Sequence, residues 1–115
     1  MHSTPRFLQG AYPFEGAGLD KPAPVVPALT YVVPAGITTQ PVYFRGGNSS
    51  DEMIAVVLVR DGVPMRWFPI GARGDTHVAL RVVEDLLADS RLELHVAAPQ
   101  GLSGTVVVDL GLVEV

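Results

Sequence analysis

From Arg91 to Val115 the chain reads RLELHVAAPQGLSGTVVVDLGLVEV, and this run alternates with a period of two. Leu92, Leu94 and Val96 alternate with Glu93, His95 and Ala97. Val106, Val108, Leu110 and Leu112 alternate with Thr105, Val107, Asp109 and Gly111. A strand with one buried face needs this period, because successive side chains point to opposite sides. Pro99, Gly101, Ser103 and Gly104 supply turn chemistry between the two runs. The pattern predicts a long antiparallel hairpin with Leu94, Val96, Val106, Val108 and Leu110 in the core.

Upstream, the breakers set the element lengths. Residues 1–27 hold Pro5, Pro13, Pro22, Pro24 and Pro27 with Gly10, Gly16 and Gly18 between them. That density forbids a regular helix and predicts at most short extended pieces. Phe7, Leu8, Tyr12 and Phe14 are nonetheless apolar. The segment therefore reads as an extended N-terminal arm lying over the domain or over a neighbouring subunit, with the domain proper at 28–115.

Short strands follow at Leu29–Val33 and Ile37–Arg45. Pro41 places the second at an edge or a bulge, because proline cannot donate to a ladder. Met53–Arg60, MIAVVLVR, is continuously apolar and reads as a central strand covered on both faces. Asp61-Gly62 favours a tight turn into Val63–Ile70, where Pro64 and Pro69 again point to an edge. Residues 76–88 fit helical spacing as well as strand. Their valines and strand-like surroundings favour strand over 77–83, then a turn or single helical turn over 84–89.

The sum is about seven strands joined by turns, which predicts an all-β fold. An antiparallel β-sandwich, Ig-like or jelly-roll-like in layout, is expected. A Cys…Trp…Cys pattern is absent, so a true immunoglobulin domain is not.

Composition narrows function. Twelve acidic side chains face eight basic ones, for a net charge of −4, and no basic stripe exists to attract nucleic acid. No apolar run approaches the roughly 20 residues of a membrane helix. The N-terminus shows no secretory leader pattern, and cysteine is missing, which excludes disulfides and thiolate chemistry and fits a cytoplasmic protein. Charged residues make up only 17% against about 25% in an average domain. Such depletion is found at the centre of interfaces, so a homo-oligomer or a protein partner is expected.

Two groups of residues carry chemistry. Pairing Val96 with Val108 in the expected hairpin keeps the apolar residues on one face and sets His95 opposite Asp109. A neighbouring strand at 77–83 would add His77 and Arg81 to the same polar face, beside Glu93. His77, His95 and Asp109 are thus the candidate catalytic residues, a histidine beside a carboxylate being the usual general-base pair. The plainer reading is the solvent face of an amphipathic sheet. The second group is Arg66, Trp67, Tyr43 and Arg45, an aromatic and arginine set of the kind found at binding hot spots. Its plainer reading is a core with Phe68 buried and Trp67 partly covered.

Arg73-Gly74-Asp75, Gly46–Ser50 and Asp51-Glu52 match no adhesion, phosphate or calcium site beyond chance composition. No metal ligand set and no cofactor is expected. These features favour a non-catalytic β-sandwich module that self-associates or recognises a partner. The alternative is a small β-barrel or sandwich enzyme of cyclase or isomerase type, using His77, His95 and Asp109 on an apolar small molecule in a cavity lined by Trp67 and Tyr43.

Overall fold

A computed structural model describes residues 3–80 and 84–115. Among these residues there is no helix, and nine strands form two antiparallel sheets. The strands are β1 (Thr4–Glu15), β2 (Gly18–Pro24), β3 (Thr30–Val32), β4 (Thr39–Asn48), β5 (Ile54–Arg60), β6 (Val63–Ile70), β7 (Asp75–Ala79), β8 (Arg91–Ala98) and β9 (Ser103–Glu114). One sheet has the order β1-β9-β4-β7. The other has β2-β8-β5-β6, with β3 also on β8. The fold is the expected all-β sandwich.

Leu94, Val96, Val106, Val108 and Leu110 are all buried, so the two faces of β8 and β9 are those the alternation predicts. The hairpin is not. β8 pairs with β5 and β2, whereas β9 pairs with β1 and β4, so the Pro99–Leu102 turn carries the chain from one sheet to the other. Two sheets packed face to face both bury alternate residues, so alternation identifies the inner face but not the neighbouring strand. Between the layers, Phe44 of β4 stacks on Phe68 of β6 with ring centroids 4.3 Å apart.

The proline-rich N-terminal segment supplies a strand to each sheet. β1 is twelve residues long and pairs with β9 along its whole length, well beyond the short pieces expected. An edge strand tolerates Pro5 and Pro13, since only one of its sides has a ladder to satisfy. Leu8 is buried, Tyr12 and Phe14 pack against the core, and Phe7 lies on the outside.

Pro41 sits at a register shift in β4, the expected bulge. β5 is central, and Ile54 through Val59 are all buried. Its outer cover is the side chains of flanking strands rather than a further layer: Trp67 and His95 lie on either side of Val57. Of the strand expected over 77–83, β7 accounts for residues up to Ala79, and 81–83 lie outside the described residues. The expected turn at 84–89 holds no helical turn. Leu86 is buried and bridges Thr39, and a turn closes from Leu87 to Ser90.

Candidate functional site

Register decides which side chains meet on the outer face of the four-stranded sheet. His77, Arg45, Asp109 and Gln9 are cross-strand partners in one row running β7, β4, β9, β1. The row on one side is Ala79, Tyr43, Gly111 and Phe7. The row on the other is Asp75, Gly47, Val107 and Ala11. A polar row thus lies between an aromatic row and a row of small side chains.

Asp109 is the hub. The Tyr43 hydroxyl donates to its Oδ1 at 3.0 Å, and Arg45 Nη2 donates to its Oδ2 at 2.7 Å. The Arg45 guanidinium also lies 5.3 Å from the centre of the Tyr43 ring, within cation–π reach. Tyr43 meets His77 edge to face, with centroids 6.2 Å apart. Desolvation raises the Tyr43 hydroxyl above its usual pKa, and the bond to the Asp109 carboxylate adds to the rise. The bond to Asp109 likewise holds Arg45 above its usual value.

Gly111 makes this arrangement possible. A Cβ at position 111 would run into the Tyr43 ring, so glycine lets the ring lie flat across β9 and aim its hydroxyl at Asp109.

Beside the hub is a shallow cavity of about 510 Å³. Gly47 and Val107 floor it beside Asp75, and His77, Arg45 and Asp109 of the polar row stand along one side. The cavity exists because Gly47 has no side chain: a Cβ there would meet only Val107, at 3.9 Å. The lining combines apolar floor, guanidinium, carboxylate and imidazole, suited to a ligand with both hydroxyl groups and C–H surface.

The structure brings together Tyr43, Arg45, His77 and Asp109, drawn from both groups singled out in the sequence. It separates His95, which faces Val57 and Pro24 in the other sheet, so the expected pairing with Asp109 does not form. Its Nε2 is buried without a hydrogen-bond partner among the described residues, and the Glu93 carboxylate is 3.7 Å away. Trp67 and Arg66 lie on β6, also in that sheet. Trp67 is about half exposed, Phe68 is buried, and Arg66 pairs with Glu84. Trp67 and Tyr43 therefore do not line one cavity, and Arg81 lies outside the described residues.

Sequence reasoning missed Gln9, Gly47, Asp75 and Gly111. Gln9 sits in a segment read as an arm, and a glycine's use as a floor or ring seat leaves no mark in periodicity. A second polar cluster was also missed, where Tyr31 donates to Glu114 Oε2 at 2.5 Å and shares a 2.8 Å bond with Thr39. Arg6 approaches Glu114 at 3.2 Å. Among the described residues no group of three or more acidic or histidine side chains gathers as a metal site.

No family model matches the chain, and no curated protein matches it. Solved structures do resemble it. The CBM36-1 domain of a multidomain xylanase, from the hindgut metagenome of Trinervitermes trinervoides, superposes with a TM-score of 0.59 at 15% identity, over 96% of each chain. A carbohydrate-binding module CBM36 in complex with calcium and xylotriose superposes with a TM-score of 0.58 at 18% identity, over 94% of this chain and 97% of the other. The chain has the β-sandwich fold of these modules.

Proposed function

We propose that this protein is a non-catalytic binding module whose ligand lies on the outer face of the four-stranded sheet. The observation that carries the reading is the Tyr43–Asp109–Arg45 array at the side of the cavity floored by Gly47 and Val107. Because Asp109 is already held by two donors, it is fixed in place before a ligand arrives, which lowers the ordering cost of binding. Arg45 has donors left over, and His77 and Asp75 offer further polar contacts from β7. The Tyr43 ring and Val107 supply apolar surface beside them. A saccharide combines these needs, with hydroxyls on its rim and C–H groups on its faces. The fold shared with carbohydrate-binding modules supports that ligand class.

The neighbour that holds xylotriose also holds calcium. In this chain the oxygens of Asp109 already accept from Tyr43 and Arg45, and calcium needs six or more oxygen ligands. The donor set here does not fit that ion, and the reading needs no metal. The acid–base enzyme reading relied on His95 beside Asp109, and these residues lie in different sheets. A further part of the proposal is association with a protein partner, a second copy above all, at a sheet edge distinct from the cavity floor.

Titration of labelled protein with a panel of soluble oligosaccharides, followed by amide chemical shifts, tests the ligand reading. The expected shifts cluster at Arg45, Gly47, His77 and Asp109. Arg45→Ala should weaken binding roughly tenfold or more, as loss of a charged hydrogen bond does. Gly47→Val should fill the cavity and abolish binding without unfolding the protein. Saccharide shifts confined to the other sheet, or none from any saccharide, would overturn the reading.

A further inference from the structure

Exposed sheet edges are templates for pairing, and this molecule blocks most of its own. β1 carries Pro5 and Pro13, β2 carries Pro22 and Pro24, and β6 carries Pro64 and Pro69. β7, the remaining edge of the four-stranded sheet, reads Asp-Thr-His-Val-Ala and has no proline. Its hydrogen-bond phase follows from its ends. Leu80 N–H donates to the Val42 carbonyl and Asn48 N–H to the Gly74 carbonyl, each at 2.9 Å. With Tyr43 opposite Ala79, residues 76 and 78 turn their backbone groups towards β4. Asp75, His77 and Ala79 turn theirs to the open edge. Among the described residues no backbone group bonds to them there. Beyond β7 the chain returns to β4, where Leu86 bridges Thr39, and the Glu84 side chain reaches across to Arg66 of β6.

We propose that a second copy of this chain adds to β7 as an antiparallel neighbour, about a two-fold axis through His77. The two four-stranded sheets then become one continuous sheet. β7 is self-complementary in this register. Inner faces stay inner, as sheet pairing requires, because each residue meets one of the same parity. On the inner face Thr76 meets Val78 of the second copy, a pair of good strand formers. On the outer face Asp75 meets Ala79 and lies diagonally from the other His77, while the two His77 rings meet each other at the axis. A two-fold contact closes on itself and does not propagate into fibres. The low charged content of the chain, 17%, suits such a surface.

Five residues make a small interface, so the dimer is weak and concentration-dependent. The pairing sets two cavities on the same side of one sheet, with Asp75 and His77 at the seam. A linear or clustered ligand would then be held bivalently. The pairing does not depend on what fills the cavity.

Sedimentation velocity on the full chain, from about 10 µM to about 1 mM, spans the affinities expected of so small an interface. The sedimentation coefficient should rise with concentration towards the dimer value. Ala79→Pro removes an N–H that points to the open edge and none that bonds to β4, so it should stay monomeric with an unchanged circular dichroism spectrum. Two further variants test the register without touching the backbone. Ala79→Lys, opposite Asp75 of the second copy, should tighten the dimer about threefold, and Ala79→Asp should loosen it by a similar factor. A parent chain that stays monomeric throughout overturns the proposal. So does an Ala79→Pro protein that associates like the parent, or a dimer that Lys and Asp at 79 affect alike. Saccharide binding by monomeric Ala79→Pro is expected to persist, so the dimer and the ligand site fail or stand separately.

Discussion

Single residues decide what each outer face can do. Tyr43 and Gly111 act as a pair: the ring occupies the space that a side chain at 111 would fill. Gly111→Val should displace the ring, break the bond to Asp109 and weaken ligand binding while β9 remains in the sheet. Amide shifts at Arg45 and Asp109 together with ligand affinity check this, and unchanged affinity would remove Tyr43 from the site. Glu114 gives the fold an acid-sensitive point. It is buried, and the hydrogen bond from Tyr31 and the one from Arg6 hold its carboxyl below the ordinary value of 4.5. A depressed carboxylate contributes stability that is present above the unfolded value and is lost as pH falls through the folded one. Urea unfolding as a function of pH should therefore show stability falling below about pH 4.5. Tyr31→Phe, which removes the first of these donors, should bring the folded value closer to the ordinary one and shrink that acid loss. An identical acid limb in parent and variant would mean that Tyr31 does not hold the carboxylate.

At the scale of elements, β9 is the strand on which the four-stranded sheet depends. β1 flanks it along its whole length, and β4 pairs with it from Thr39 to Asn48. Val108 is 1% exposed at its centre. An aspartate there would bury an unpaired charge at a cost of several kcal/mol, comparable to the whole stability of a domain of this size. Val108→Asp should not melt cooperatively, and a soluble variant with a native melting curve would reverse the faces assigned to β9. The alternation of Val106, Val108, Leu110 and Leu112 made this legible in the sequence. The continuous run at Ile54–Val59 likewise reads as a central strand. The length of β1 was not legible, because proline density argues against regular structure but is neutral for an edge strand whose open side needs no donors. Nor was Gln9's place in the site, which follows only from the β1–β9 register.

The whole molecule is two layers, and the layer to which a strand belongs is what alternation cannot report. Any strand with one buried face fits either sheet of a sandwich, so adjacency in sequence made β8 and β9 look like a hairpin. That single ambiguity moved His95 from the polar row of one outer face to the apolar outer face of the other. It split one candidate constellation while leaving His77, Arg45 and Asp109 together. The distinction can be measured in solution. Sheets pack about 10 Å apart, and His95 and Asp109 point away from each other on opposite outer faces, so they share no partner. Effects at such a distance add to within about 0.3–0.5 kcal/mol, whereas residues in direct contact couple by more. A double-mutant cycle in denaturant with His95→Gln and Asp109→Asn should close to within that margin. The cycle of Tyr43→Phe with Asp109→Asn should not, because those two side chains share a hydrogen bond. Coupling between His95 and Asp109 as large as that between Tyr43 and Asp109 would put β8 and β9 back into one sheet. The row His77–Arg45–Asp109–Gln9 would then be dismantled, and with it the proposed binding face.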